Sequence, residues 1–232
     1  MTVARKAAAN ATKAGRHIVI GGLGNLGQKL QHYLLKKEGA SVHVIDRPRR
    51  HQREVDAALV DADEVAFTPY ALGEQQQGDN TTINGSLTNL VEGAECIYCV
   101  VTPDVQHGTV REFRQTNQIG IQQLVQAARE AGVPKLVYAS SIAVTNHFLP
   151  AYNQSEKDPL PDLDSYQNEY DRSKRLGEDI VLAAGNDNCP RRHNLKTCAL
   201  RLGGIISGHS DYMFRGSFQT GEASGKVYTI AG

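Results

Sequence analysis

A glycine-rich turn between a short apolar strand and an amphipathic helix is the feature that most constrains this fold. The strand covers residues 17–20, and Gly21, Gly24 and Gly27 follow it. Apolar residues then recur at helical spacing, at Leu26, Leu30 and Leu34. In such a unit the first glycine allows a tight exit from the strand and the second lets the backbone approach a pyrophosphate. The third lets the helix pack closely. The pattern predicts the first half of a dinucleotide-binding unit.

An acidic residue follows the second strand at the spacing that such a unit requires. This strand covers residues 41–45 and runs into Asp46, about 20 residues past the last glycine, where a carboxylate binds the ribose hydroxyls of NAD. The helix N-terminus at Asn25 and Leu26 offers free N–H groups to phosphates. Arg47 could cover the adenine or meet a 2′-phosphate, or belong to a solvated basic loop. Because Asp46 would repel a 2′-phosphate, we expect NAD rather than NADP.

The remaining segments alternate between strand and helix. Residues 96–101 form a continuous apolar run typical of a strand buried on both faces, so Cys96 and Cys99 are interpreted as core residues. A helix is predicted over residues 117–131 and a strand over 135–139. Asp79 could reach the adenine from a strand end, or could lie in a simple turn. The pattern predicts an α/β fold with a Rossmann-type, doubly wound parallel sheet.

Composition excludes several classes of function. The 232 residues carry no formal net charge, which argues against nucleic acid or an anionic membrane surface as the main partner. We find no apolar run near the ~18 residues that a membrane span needs. Four scattered cysteines fit a reducing, cytoplasmic compartment, and the histidines lack metal-ligand spacing, so no metal is expected. Residues 1–15 read as a flexible basic tail, with an organellar presequence as the alternative.

A tyrosine and a lysine four residues apart supply the candidate chemistry. Tyr170 and Lys174 share one face of a predicted helix, and Ser140 and Ser141 end a predicted strand, where ligands bind in open α/β sheets. A tyrosine pKa near 10 is too high for a base at neutral pH, but a nearby ammonium and a nicotinamide cation would lower it. Tyr170 could then exchange a proton with an alcohol while Ser141 holds the substrate oxygen.

These elements together resemble the extended short-chain dehydrogenase/reductase family. The resemblance rests on the glycine motif, Asp46, Asn117, Ser141 and Tyr170-x-x-x-Lys174. Within that family the chain is most similar to the 3β-hydroxysteroid dehydrogenases and the sterol-4α-carboxylate 3-dehydrogenases. Three stretches carry this closer similarity, at residues 19–22, 136–144 and 200–208, and the whole resemblance extends from about residue 16 to residue 232.

The resemblance implies a role for each of several residues. Tyr170 would be the acid/base, Lys174 would hold the nicotinamide ribose, and Ser141 would orient the substrate oxygen. Asn117 would support a proton-relay water near Lys174. Further residues would line the cofactor, namely Val100, Val101, Thr102 and Ser140, and the segment from Leu202 to Ile205, which includes Gly204, would cover the nicotinamide.

The chain differs from the family pattern at three points. Asn25 stands where many relatives have an aromatic residue, and Leu202 replaces the usual proline after an arginine. Relatives also continue well past residue 232. We therefore expect a Rossmann domain over residues 16–232 with a small, incomplete C-terminal substrate lobe, mainly at 145–168 and 205–232. The resemblance also implies a homodimer, through helices that begin near Asn117 and Tyr166.

Three functional hypotheses follow from the sequence. The first is an NAD-dependent dehydrogenase that oxidises a secondary alcohol, such as a 3β-hydroxyl on an apolar, sterol-like ring. The second is a nucleotide-binding module without turnover inside a larger assembly. The third keeps the fold but changes the substrate, as in a nucleotide-sugar epimerase or a flavonoid-type reductase.

Overall fold

Six parallel strands form one sheet in the computed structural model. The structure describes residues 14–36, 38–48, 51–61, 63–74, 87–146, 153–186 and 195–205. Neighbouring strands follow the order β3-β2-β1-β4-β5-β6. The chain builds one half of the sheet from β1 out to β3 and then crosses back to place β4 beside β1, so the strand order reverses where β1 and β4 adjoin. The strands are β1 (Ala14–Ile20), β2 (Ala40–Asp46), β3 (Ala66–Pro69), β4 (Ala94–Cys99), β5 (Lys135–Ser141) and β6 (Lys196–Leu202). This is the doubly wound order that the sequence predicts.

Helices connect the strands and cover both faces of the sheet. They are α1 (Asn25–Lys36), α2 (Gln52–Ala58), α3 (Leu87–Val91), α4 (Val110–Arg114), α5 (Ile121–Glu130) and α6 (Glu169–Gly185). Helices α4 and α5 are joined without a break by a π-helical turn, Gln115–Gly120. Two short 3₁₀ turns, Ile142–Thr145 and Leu163–Ser165, follow β5. In the described ranges, no helix has both the length and the apolar character needed to cross a membrane.

The apolar core lies in two layers because the strand side chains alternate between the faces of the sheet. On one face, Ile18 and Ile97 pack among the apolar residues of α3, α5 and α6. On the other, Val19 and Val44 pack against Leu34 of α1 and its neighbours. Central strands buried on both faces explain why their sequences are continuous apolar runs. Cys96 and Cys99 are both buried, as predicted for core residues.

The boundaries of some elements differ from the predicted ones. Strand β1 begins at Ala14, inside the segment interpreted as a tail, and Arg16 donates to the Leu90 carbonyl. The helix predicted from residue 117 begins at Val110, where Thr109 and Glu112 form a capping box. Tyr166 does not open the helix that carries Tyr170. That helix begins at Glu169, because the Asn168 side chain caps it by accepting from the Asp171 N–H.

Candidate active site

A cleft of 520 Å³ opens at the carboxyl ends of the strands, where β1 and β4 adjoin. This crevice, at the point where the strand order reverses, is where open α/β sheets bind their ligands. Most of the residues predicted for the site line it, namely Gly21, Gly24, Asn25, Leu26, Gly27, Asp46, Arg47, Val100, Val101, Thr102, Ser140, Ser141, Tyr170, Lys174, Leu202 and Gly204. Asp79 lies outside the described residues.

The three glycines of the turn are constrained by different surroundings. Gly21 has a φ of +85°, and a Cβ there would lie 2.7 Å from the Cα of Val101. A Cβ on Gly27 would lie 2.4 Å from the Gly21 carbonyl oxygen, closer than any real contact. At Gly24 the nearest atom would be 3.4 Å away, an ordinary van der Waals distance. Packing within the chain therefore requires glycine at two positions, whereas Gly24 leaves its space open toward the cleft.

Asp46 presents a fixed carboxylate at the edge of this cleft. One carboxylate oxygen accepts from the Leu23 N–H at 2.9 Å, and the other accepts from the Arg47 N–H at 2.8 Å. The residue is buried at the end of β2, so its position is set by the sheet and by the glycine turn together. An open glycine, a helix N-terminus and a carboxylate in this arrangement fit the pyrophosphate and ribose of a dinucleotide.

Helix α6 brings Tyr170 and Lys174 to the opposite side of the cleft. The Lys174 ammonium donates a 2.9 Å hydrogen bond to the Ala139 carbonyl oxygen, and only 3% of the residue is exposed. Burial lowers the pKa of Lys174 to about 8. The Tyr170 and Phe113 rings pack edge to face, with their centroids 5.7 Å apart. Ser141 lies at the end of β5, where its hydroxyl accepts from the Ala143 N–H.

Asn117 lies behind this group and does not line the cleft itself. It occupies the π-helical turn and is fully buried. Its side-chain amide donates to the Ser173 hydroxyl at 3.0 Å, and that hydroxyl donates to the Tyr170 carbonyl oxygen at 2.9 Å. The Asn117 side-chain oxygen has no partner among the described residues. Asn117 thus supports the backbone of the helical turn that carries Tyr170.

Ser140 takes part in a buried polar network that the sequence analysis missed. Its hydroxyl donates to the Glu178 carboxylate, which is 1% exposed. Arg201 on β6 donates to the same carboxylate, at 2.7 Å from Nη2 and 3.0 Å from Nε. We call these three residues the Ser140–Glu178–Arg201 network. The available signal was the position of Glu178, four residues after Lys174 on the same helical face.

Several other cleft residues were also absent from the predicted set. They come from the end of β3, from the region of the π-helical turn and from the segment after β5, and include Tyr70, Leu72, Glu74, Glu112, Gln115, Thr116 and Ile142. Their positions depend on tertiary packing, for which no motif gives a spacing. No group of three or more candidate metal ligands occurs within the described ranges.

The strand order and the cleft define a Rossmann-type, doubly wound α/β protein with a dinucleotide-type crevice. Residues 18–232 match the 3-beta hydroxysteroid dehydrogenase/isomerase family, as the sequence resemblance predicts. The chain belongs to this family, a conclusion that the curated relatives support.

Two such relatives illustrate the similarity. One is the mouse (Mus musculus) protein named sterol-4-alpha-carboxylate 3-dehydrogenase, decarboxylating, which is 31% identical over 195 residues, 84% of this chain and 47% of the relative. The other is a Mycobacterium tuberculosis protein named 3 beta-hydroxysteroid dehydrogenase/Delta 5-->4-isomerase, 30% identical over 216 residues, 90% of this chain and 52% of the relative. The chain thus spans about half the length of these relatives.

Solved structures share the fold at lower identity. A UDP-N-acetylglucosamine 4-epimerase from Methanobrevibacter ruminantium, in complex with UDP-N-acetylmuramic acid, superposes with a TM-score of 0.68 at 18% identity. That match covers 95% of this chain and 66% of the epimerase. The Bordetella bronchiseptica enzyme WbmH, in complex with NAD+, gives a TM-score of 0.67 at 18% identity over 92% of this chain and 64% of WbmH. At this identity the superpositions establish the fold.

Proposed function

We propose that the protein is an NAD-dependent oxidoreductase that oxidises a secondary alcohol, with Tyr170 as the acid/base. One observation carries the proposal. A single cleft is lined on one side by the glycine turn and Asp46, and on the other by Ser141, Tyr170 and Lys174. The names of the family and of its relatives, which are dehydrogenases, support the same class of reaction.

The cofactor would lie along the cleft with its pyrophosphate over Gly24. The N-terminus of α1, at Asn25 and Leu26, would donate backbone N–H groups to the phosphates. Asp46 would bind the adenine ribose, and Arg47 would lie beside the adenine. The negative charge of Asp46 disfavours a 2′-phosphate on that ribose, which supports NAD over NADP. When bound, NAD supplies the hydride acceptor.

The side chains at the other end would handle the proton of the substrate alcohol. Ser141 would donate to the alcohol oxygen and orient it, and the hydroxyl proton would pass to the phenolate oxygen of Tyr170. The Lys174 ammonium would favour that phenolate by its charge. The Asn117 Nδ2 group would hold the backbone of α6 through Ser173, and the Asn117 Oδ1 atom would accept from a relay water.

The lining of the cleft supports an apolar substrate such as a 3β-hydroxysteroid. Val105, Ile142 and Ile205 line it and are 43%, 57% and 48% exposed, so an apolar ring system would cover them. Among the described residues that line the cleft, the cations are Arg47, at the proposed adenine end, and Lys174. A nucleotide-sugar diphosphate would find no further described cation there, and this favours the sterol over the nucleotide-sugar hypothesis.

NADH formation with a panel of 3β-hydroxysterols tests the proposal. We expect turnover by the wild-type protein, and a decrease of about 10²- to 10⁴-fold in Tyr170→Phe, which keeps the ring against Phe113 but removes the proton acceptor. Tyr33→Phe is the matched control, because that tyrosine is exposed on α1. Equal turnover in both variants would contradict the role of Tyr170.

Other outcomes of the same assay would favour the alternatives. Tight NAD binding without turnover of any alcohol would support a nucleotide-binding module. Turnover of nucleotide sugars instead of sterols would support the epimerase hypothesis. The homodimer and the cytoplasmic location stay predictions from the sequence, and sedimentation and cell fractionation would test them.

A further inference from the structure

Lys174 lies against the face of a buried aromatic ring on the adjacent strand. Its ammonium nitrogen is 4.9 Å from the centroid of the Tyr138 ring. Tyr138 is fully buried in the middle of β5, and the Ala139 carbonyl that accepts from Lys174 is the next residue of the same strand. An ammonium within about 6 Å of a ring face is attracted by the ring quadrupole, most strongly when both groups are desolvated.

We propose that Tyr138 is a positioning residue for the reaction proposed above: its ring holds the Lys174 side chain and stabilises the ammonium form beside Tyr170. This role requires the ring but not the phenol. The Tyr138 hydroxyl has no hydrogen-bond partner in the part of the chain that the structure describes. A phenylalanine at this position should therefore serve as well as the tyrosine.

The other groups around Lys174 do not replace the ring. Cys99 approaches from β4, but burial raises the pKa of its thiol to about 11, so it is neutral at pH 7. Burial also keeps the pKa of Tyr138 well above its ordinary value. On α6 itself, Tyr170 lies one turn before Lys174. Glu178 lies one turn after it, but its charge is paired with Arg201.

Desolvation explains why this stabilisation matters for the site. Because Lys174 is buried, its pKa falls to about 8, close to the pH at which a cytoplasmic enzyme works. A further decrease would leave much of the lysine neutral at pH 7.5. The ring face opposes that decrease by stabilising the ammonium form, which water cannot do because Lys174 is buried.

A substitution series that lowers the electron density on the ring face, while nearly keeping the ring's shape, tests the proposal. Position 138 would carry phenylalanine or its 4-fluoro, 3,5-difluoro and 3,4,5-trifluoro derivatives, and the Lys174 pKa would be read from ¹³C-lysine NMR titration. Lys174→Arg assigns the signal. We expect Tyr138→Phe to match the wild type, and the pKa of Lys174 to fall with each added fluorine, by on the order of one unit for the trifluoro ring.

The same series at Tyr98 provides the control. That ring lies on β4 and stacks on His17, 5.8 Å away, so its fluorination should leave the Lys174 titration unchanged. The proposal would be overturned if the Lys174 pKa stayed constant across the series at 138. The proposal would also be overturned if Tyr138→Phe lowered the Lys174 pKa as much as the trifluoro ring does.

Activity gives a second reading that separates this proposal from the proposed function. A reaction that needs the Lys174 ammonium is lost as the pH rises through the lysine pKa, so the fluorinated variants should lose turnover at a lower pH. The NMR titration needs neither cofactor nor substrate. A shifted titration without NADH formation from any alcohol would support the role of the ring and contradict the proposed reaction.

Discussion

The substitution Gly24→Ala should separate nucleotide binding from folding. A methyl group at this position would meet the Gly21 carbonyl oxygen at 3.4 Å; apart from its chain neighbours and the backbone of α1, no other atom of the described residues lies within 4 Å. Gly24 also caps α1, because its carbonyl accepts from the Gln28 N–H at 2.9 Å. Alanine is a poorer cap than glycine, by up to about 1 kcal/mol, but it also stabilises the fold by about 0.4–1 kcal/mol because it restricts the unfolded chain. We therefore expect the free energy of unfolding to change by less than about 1 kcal/mol.

Binding should respond much more strongly. If the pyrophosphate lies over Gly24, the methyl group pushes it away from the backbone N–H groups of the turn. The loss of one hydrogen bond to a charged group costs about 1.5–3 kcal/mol, which corresponds to an increase of about 10- to 150-fold in the Kd for NAD. Calorimetric titration with NAD and urea denaturation of the same preparation measure the two effects.

Gly27→Ala is the matched control, since the same atom is added three residues away. Its methyl group would lie 2.4 Å from the Gly21 carbonyl oxygen and 2.5 Å from the Gly22 Cα, so α1 must move away from β1. Overpacking of this kind costs about 1–3 kcal/mol of folding stability. If Gly24→Ala destabilised the fold as much as Gly27→Ala, or left the Kd for NAD unchanged, the assignment of Gly24 to the pyrophosphate would be refuted.

Three further substitutions test other parts of the structure. Glu178→Met should destabilise the fold by about 3 kcal/mol because it leaves Arg201 unpaired in a buried place, and adding Arg201→Met should restore part of this in urea denaturation. His43 has a pKa lowered to about 4 by burial and by Arg16, so stability should fall as the pH drops from 6.5 toward 4, and His43→Gln should flatten that decline in thermal unfolding. Asp46→Asn should reduce the ratio of NADP to NAD dissociation constants, and an unchanged ratio would argue against ribose recognition by this carboxylate.

Local patterns were sufficient to predict the framework of the fold. The glycine spacing from Gly21 to Gly27 specifies a strand–turn–helix unit, and the continuous apolar run at residues 96–101 specifies a buried strand. Their order along the chain specifies the doubly wound sheet, which the structure confirms. Residues at the ends of predicted strands, such as Asp46 and Ser141, could be placed at one edge because parallel strands end there together.

The parts that escaped prediction depend on contacts between distant segments. No sequence pattern indicates the π-helical turn at Asn117, which joins α4 to α5. Hydrophobic spacing therefore predicted a helix from residue 117, seven residues after the observed start at Val110. Ser140 lines the cleft as predicted, and its hydroxyl also donates to Glu178, a partner 38 residues away that no local pattern indicates. Tyr138 reads as a core residue in any strand, and only the fold places Lys174 over its ring.

The Ser140–Glu178–Arg201 network has a consequence for protein engineering. It joins β6 to the helix that bears Tyr170 and Lys174, and the chain leaves this joint directly into the cleft. The proposed catalytic residues of α6 and the cleft residues that follow β6 are therefore linked through the contacts of Glu178 with Ser140 and Arg201. Grafting the segment beyond residue 205 from a relative should exchange the proposed substrate preference without changing the proposed chemistry.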